Sequence, residues 1–197
     1  MSIETEKYTV ASDTHYPVHP LIQQRWSPRS FSGEAVDPDL LRQLFDAARW
    51  APSSYNEQPW RFIVATRDHP EEYEQLLDIL NPGNRRWAQE APVLILTVVK
   101  TIFSGSGSPN RSARHDLGQA VAYLTLEAMN HDIYLHQMAG IDLGAARDVF
   151  NIPEGYEPFT GIALGYLGEA EPSSGRSRKK LDEIAFRGDW NSRKDLA

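Results

Sequence analysis

The chain has 197 residues, 41% of them hydrophobic and 10% aromatic, enough for one sizeable core. A net charge of −7 leaves no basic surplus to favour nucleic acid, and the lack of cysteine removes disulfides, thiolate metal sites and cysteine nucleophiles. A cysteine-free composition is compatible with a reducing compartment, and the cytoplasm is the expected location.

Residues 1–19 read as an extended arm, with prolines at 17 and 20. Glu4, Glu6 and the lack of an apolar stretch argue against a signal peptide there. Asp37-Pro38-Asp39 predicts a helix start, with a capping carboxylate and then proline at the first helical position. Leu40, Leu41, Leu44, Phe45 and Ala48 follow at helical spacing. Residues 60–66 predict a strand. Asp68 and Pro70 open another helix, with Tyr73, Leu76, Leu77 and Leu80 on one face. A short helix is expected over 84–89. Residues 92–99 are nearly all apolar, as in a strand buried on both faces, and far too few to cross a membrane.

Residues 101–112, rich in Gly, Ser and Asn, predict a mobile loop. The longest helix is expected over 113–129, with Leu117, Ala120, Val121, Leu124 and Ala128 as its buried stripe. A strand over 133–136 and a helix from the Asp142 cap to residue 150 follow. Residues 159–166 predict a last core strand, whose two glycines permit close backbone approach. Residues 171–180 are polar and basic. Residues 181–197 form an amphipathic tail in which Leu181, Ile184, Phe186 and Trp190 need a surface to pack on. Helices and strands mix without strict βαβ alternation, so α+β is the expected class. With no repeat and no long linker, a single domain over 1–197 is expected, with 1–19 as its arm and 171–197 as its basic stretch and tail.

Two short segments stand out. Arg25-Trp26-Ser27-Pro28-Arg29 sets two guanidiniums about a hydroxyl, a pattern that can grip a phosphate and the polar edge of a ring. The same run also reads as an ordinary solvated basic turn. Pro52-Ser53-Ser54-Tyr55-Asn56-Glu57-Gln58-Pro59-Trp60 is a dense set of short hydrogen-bonding side chains closed by Pro-Trp. The common nucleophile, phosphate-loop and zinc motifs are absent. His115-Asp116 and His131-Asp132 are neighbours in sequence, which point apart on a helix, so no metal site is expected. A chain with no evident acid, base or nucleophile often borrows its chemistry from a cofactor.

In order and at this distance, the two segments resemble the opening of the nitroreductase family of flavin enzymes. That family binds FMN through an Arg-x-Ser-x-Arg segment and a Pro-Ser-Ser-x-Asn-x-Gln-Pro-Trp segment. His136-Gln137-Met138-Ala139-Gly140 resembles the family stretch that runs from a strand into a turn under the flavin ring. Arg176 and Arg178 match a pair of basic residues that hold the FMN phosphate. The resemblance covers roughly residues 21–190. It departs at Asn130-His131-Asp132-Ile133, where many relatives carry Gly-Leu.

The resemblance implies a central mixed sheet flanked by helices, in a domain completed by dimerisation. It implies that Arg25, Trp26, Ser27 and Arg29 meet FMN, with Arg29 at the pyrimidine edge and Arg25, Arg176 and Arg178 at the phosphate. Pro52, Ser53, Ser54 and Asn56 would reach the FMN of a partner subunit. Asn84 would touch the ring or ribityl chain. His136, Gln137 and Met138 would lie along the ring, with the Ala139 and Gly140 amides facing N5 and O4. No side chain would be catalytic. NADH or NADPH would supply hydride to flavin N5, and a nitroaromatic, quinone or similar small acceptor would take it by a ping-pong mechanism. Two alternatives stay open: a dehalogenating or flavin-consuming relative, and a non-catalytic flavin-binding regulatory protein. No nucleic-acid or membrane partner is expected.

Overall fold

The computed structural model describes residues 16–169 and 177–191. They fall into two compact units, one spanning Arg25–Glu171 and the other Met1–Gln24 with Pro172–Ala197. Of the smaller unit, the described part holds helix α1 (Pro20–Gln24) and a 3-10 turn at Leu181–Glu183. Phe186 and Trp190 stack there at 5.0 Å, while Leu181, Ile184 and Trp190 are exposed.

The larger unit opens with α2 (Pro38–Ala48). The Asp37 carboxylate accepts from the amides of Asp39 and Leu40, at 2.8 and 3.1 Å, and Pro38 stands in the first turn where no amide donor is needed. Strand β1 (Trp60–Thr66) leads to α3 (Pro70–Asp78) and α4 (Pro82–Ala88). Asn81 caps α4 by accepting from the Asn84 amide at 2.9 Å, which starts that helix two residues earlier than the pattern predicts. Then follow β2 (Val93–Lys100), α5 (Ala113–Met129), β3 (Ile133–Met138), α6 (Leu143–Val149) and β4 (Tyr156–Tyr166).

The sheet order is β1-β2-β4-β3, and every neighbouring pair is antiparallel. The expected mixed sheet is therefore antiparallel throughout among the described strands. The reason is topological. β2 and β3 run the same way on either side of α5, as in a βαβ unit, but β4 enters between them and runs against both. β4 also starts three residues before its predicted start. Its register shifts opposite Thr97 and Val98, and this irregularity accommodates Pro158 within the strand.

Alternation along β2 divides the core. Val93, Ile95 and Val99 meet Leu44 of α2 and the Leu117-Ala120-Val121-Leu124-Ala128 stripe of α5. Leu94, Leu96 and Val98 meet Tyr73, Leu76 and Leu77 of α3 and Ala88 of α4. Leu80 lies past the end of α3, in a bridge to Ile141. The Gly/Ser segment at 101–112 is braced by its own backbone. Phe103 donates to Ser108 and Asn110 to Thr101, at 2.9 and 2.7 Å, and Ile102 bridges Pro109. No described helix is long and apolar enough to cross a membrane.

Candidate functional site

Residues 25–32 run beside edge strand β3 and the end of β4. Phe31 bridges Leu167, and the Ser32 amide donates to Tyr166 at 3.0 Å. Trp26 is buried edge-on against Tyr134, at 6.2 Å. Its indole N–H has no acceptor among the described residues. Arg25 donates to the Ser27 hydroxyl at 3.1 Å. His136 lies 2.8 Å from the Pro28 carbonyl through Nδ1. A carbonyl only accepts, so Nδ1 carries the proton. Burial holds the His136 imidazole below its ordinary pKa and the Arg29 cation pushes the same way, against the backbone hydrogen bonds at Pro28 and Ser27.

Helix α4 meets this segment from the other side. Its Trp87 ring lies 4.4 Å from the His136 ring, and the Arg29 guanidinium sits 5.9 Å from the Trp87 centroid. Asn84 donates to the Gly140 carbonyl at 3.1 Å, and the Asn81 amide donates to the same oxygen at 3.0 Å. A Cβ at Gly140 would stand 2.1 Å from the Asn81 side-chain nitrogen. A side chain there would have to displace the Asn81 and Asn84 amides, so the protein's own packing favours glycine at this position. Strand alternation puts His136 and Met138 on the α4 side and exposed Gln137 on the other. The Met138 side chain is buried in the α3 core, so it is the backbone after it that borders the site.

The second segment lies elsewhere. Residues 53–58 lead into β1, the opposite edge of the sheet. Tyr55, Asn56 and Gln58 all have positive φ, between 50° and 54°, a region that non-glycine residues seldom occupy. Hydrogen bonds hold the turn in that shape. The Ser54 amide donates to Asp116 at 3.0 Å, and the Gln58 amide to the Ser53 hydroxyl at 3.0 Å. Asp116 is only 3% exposed, and Pro52 is exposed at the start of the turn. Glu57 pairs with Lys100 at 3.0 Å and accepts from the Ser104 amide at 2.9 Å. The Ser104 hydroxyl, then Lys100, hold the Glu57 carboxyl below its ordinary pKa against the opposing effect of burial. Beside it, Tyr55 and Phe103 meet edge to face at 5.7 Å over an open groove of about 550 Å³.

The nitroreductase family model matches residues 22–166. The chain belongs to the nitroreductase family. It is 33% identical over 151 residues to an uncharacterised 15.4 kDa protein in the ask 5′ region of Mycolicibacterium smegmatis, a match spanning 67% of this chain and 98% of that one. It is 28% identical over 180 residues to an NADH dehydrogenase of Thermus thermophilus, spanning 74% and 84%. A solved structure of an oxidoreductase containing FMN superposes with a TM-score of 0.86 at 32% identity, covering 94% of this chain and 99% of that one.

One chain brings together Arg25, Trp26, Ser27, Arg29, Asn84, His136 and the 138–140 backbone. It does not bring Pro52, Ser53, Ser54 and Asn56 to them, because two strands intervene, about 14 Å at the usual strand spacing. Arg178 is exposed in the smaller unit and donates to the Ser177 carbonyl, and Arg176 lies outside the described residues. Among the described residues no His/Asp/Glu group could hold a metal ion. Trp87 and Lys100 help organise the two halves without having stood out in the sequence, while Asp116 and Glu57 lie in segments singled out for other reasons. Asn81-Pro82, a helix-start pair, is the local signal that could have placed Trp87.

Proposed function

We propose that the protein is an FMN-dependent NAD(P)H oxidoreductase acting as a homodimer in the cytoplasm. The observation that carries this reading is the chemistry of the cluster beside β3: Arg25, Arg29 and the Ser27 hydroxyl are all able to donate. Such a set fits an anionic, acceptor-rich group such as a ribityl phosphate joined to a flavin pyrimidine. FMN is named in the similar oxidoreductase, and NADH in the Thermus relative.

In this reading Arg25, Ser27, Arg176 and Arg178 hold the phosphate, and Arg29 the pyrimidine edge. The Ala139 and Gly140 amides meet the ring, bordered by His136 and the backbone of Gln137 and Met138, and Asn84 holds that turn. When bound, FMN supplies the redox step, taking hydride from NADH or NADPH and passing electrons to a nitroaromatic, quinone or similar small acceptor. The chain binds, orients and supplies fixed donors where charge develops. One site used in turn by both substrates implies ping-pong kinetics. A second copy would contribute Pro52, Ser53, Ser54 and Asn56, which lie at the far edge of the sheet in their own chain. The 1–197 chain would then act as a single domain.

Chromatography of heat-released cofactor tests the reading, with FMN as the expected dominant species and FAD or no flavin as the contrary result. A charged hydrogen bond is worth about 1.5–3 kcal/mol, so Arg25→Ala should weaken FMN binding roughly 10- to 100-fold. Sedimentation of the yellow holoprotein at low micromolar concentration tests the shared site, and a monomer that keeps FMN and activity would refute it.

A further inference from the structure

We propose that Trp87 is a positioning residue that presents the Arg29 guanidinium to the flavin edge. The inference rests on the flavin reading above and concerns how that contact is prepared. Arg29 is exposed and makes no ion pair with a carboxylate among the described residues, so charge pairing does not fix its long side chain. What it meets is the indole of Trp87, 5.9 Å from the guanidinium carbon to the ring centroid. A planar guanidinium is attracted to that face, and indole is the strongest of the aromatic partners.

The indole is itself fixed. Its other neighbour is the His136 ring, 4.4 Å away, and His136 is tied to the Pro28 carbonyl at 2.8 Å. Pro28 precedes Arg29, so the contacts close a circuit: Arg29 side chain, Trp87, His136, Pro28 backbone, Arg29. Helix α4 also carries Asn84, which bonds the Gly140 carbonyl. One short helix thereby sets both the guanidinium and the turn that borders the ring. A side chain ordered before binding loses less entropy when the ligand arrives, which is how Trp87 would raise affinity without touching the flavin.

A double-mutant cycle on the holoprotein tests this. Flavin release on dilution is followed by its fluorescence in wild type, Trp87→Leu, Arg29→Ala and the double variant. A cation–π contact of roughly 0.5–2 kcal/mol predicts that Trp87→Leu raises the FMN dissociation constant about 3- to 30-fold. In the Arg29→Ala background the same change should have little further effect. Trp87→Phe, which keeps a weaker aromatic face, should recover part of the loss, and it carries the cycle at smaller amplitude if Trp87→Leu does not fold. Equal losses with and without Arg29 would overturn the inference while leaving the flavin site intact. A bound FMN indifferent to Arg29→Ala would overturn it too, and a protein without FMN would remove the reading beneath it.

Discussion

Beside β3, among the described residues, the buried Trp26 indole N–H has no acceptor and Arg29 rests on a ring face. Ahead of β1, by contrast, Ser53, the Ser54 amide and Glu57 are all bonded within the chain, and the backbone between them is bent into positive φ. The first region leaves the Arg29 guanidinium exposed on an ordinary backbone. The second uses its hydrogen bonds to hold an uncommon backbone in place. Density of polar side chains does not distinguish the two cases. What does is whether the partners lie inside the protein, and a turn anchored in this way can present what remains to another molecule.

The anchors of the second region give the largest expected effects. Glu57 and Lys100 are both mostly buried, so Glu57→Ala strands a cation and should destabilise the protein by about 3 kcal/mol in urea titration. The sign with pH follows from the lowered Glu57 pKa. Its contribution is present above the ordinary carboxylate value of about 4.3 and is lost as pH falls through the lower folded value. Denaturation midpoints from pH 3 to 7 in wild type and variant would trace it. Asp116→Ala, which removes the acceptor for Ser54, should cost about 2 kcal/mol, read by thermal melting.

In the first region the effects should be smaller. Gly140→Ala forces a methyl onto Asn81 and should cost about 1–2 kcal/mol. Asn81→Ala should cost about 1 kcal/mol through the lost α4 cap, and the double variant less than the sum, because removing the amide makes room for the methyl. Additive melting temperatures would contradict that packing. Least of all, His136 should make stability fall as pH drops below about 6.5, until its lower folded value is reached. Comparing urea midpoints of wild type and His136→Phe between pH 5 and 8 isolates that component, which the variant should lack.

Periodic elements were the most legible. The α5 and β1 boundaries match their sequence patterns residue for residue, because an apolar stripe and a run of strand formers are local signals. The predicted β4 begins just past Pro158, and a register shift opposite Thr97 and Val98 carries the observed strand through that residue. At the site, residue type identified Arg25, Ser27 and Arg29. In the second segment the tertiary contacts escaped notice because they are distant: Ser54 meets Asp116 and Glu57 meets Lys100 across stretches with no shared pattern. The constraint on Gly140 is likewise distant, since it comes from Asn81, nearly sixty positions earlier in the chain.

The place of β4 also bears on how this protein is made. It is the last of the described strands, yet it sits between β2 and β3 and pairs Val93 with Leu164. A ribosome therefore exposes β2, apolar along almost its whole length, well before the strand that covers its inner edge has been synthesised. During that interval the nascent chain carries an open, sticky edge, and distant partners slow its closure. Synthesis that stops before Tyr156 would leave that edge open, where it can pair with other chains.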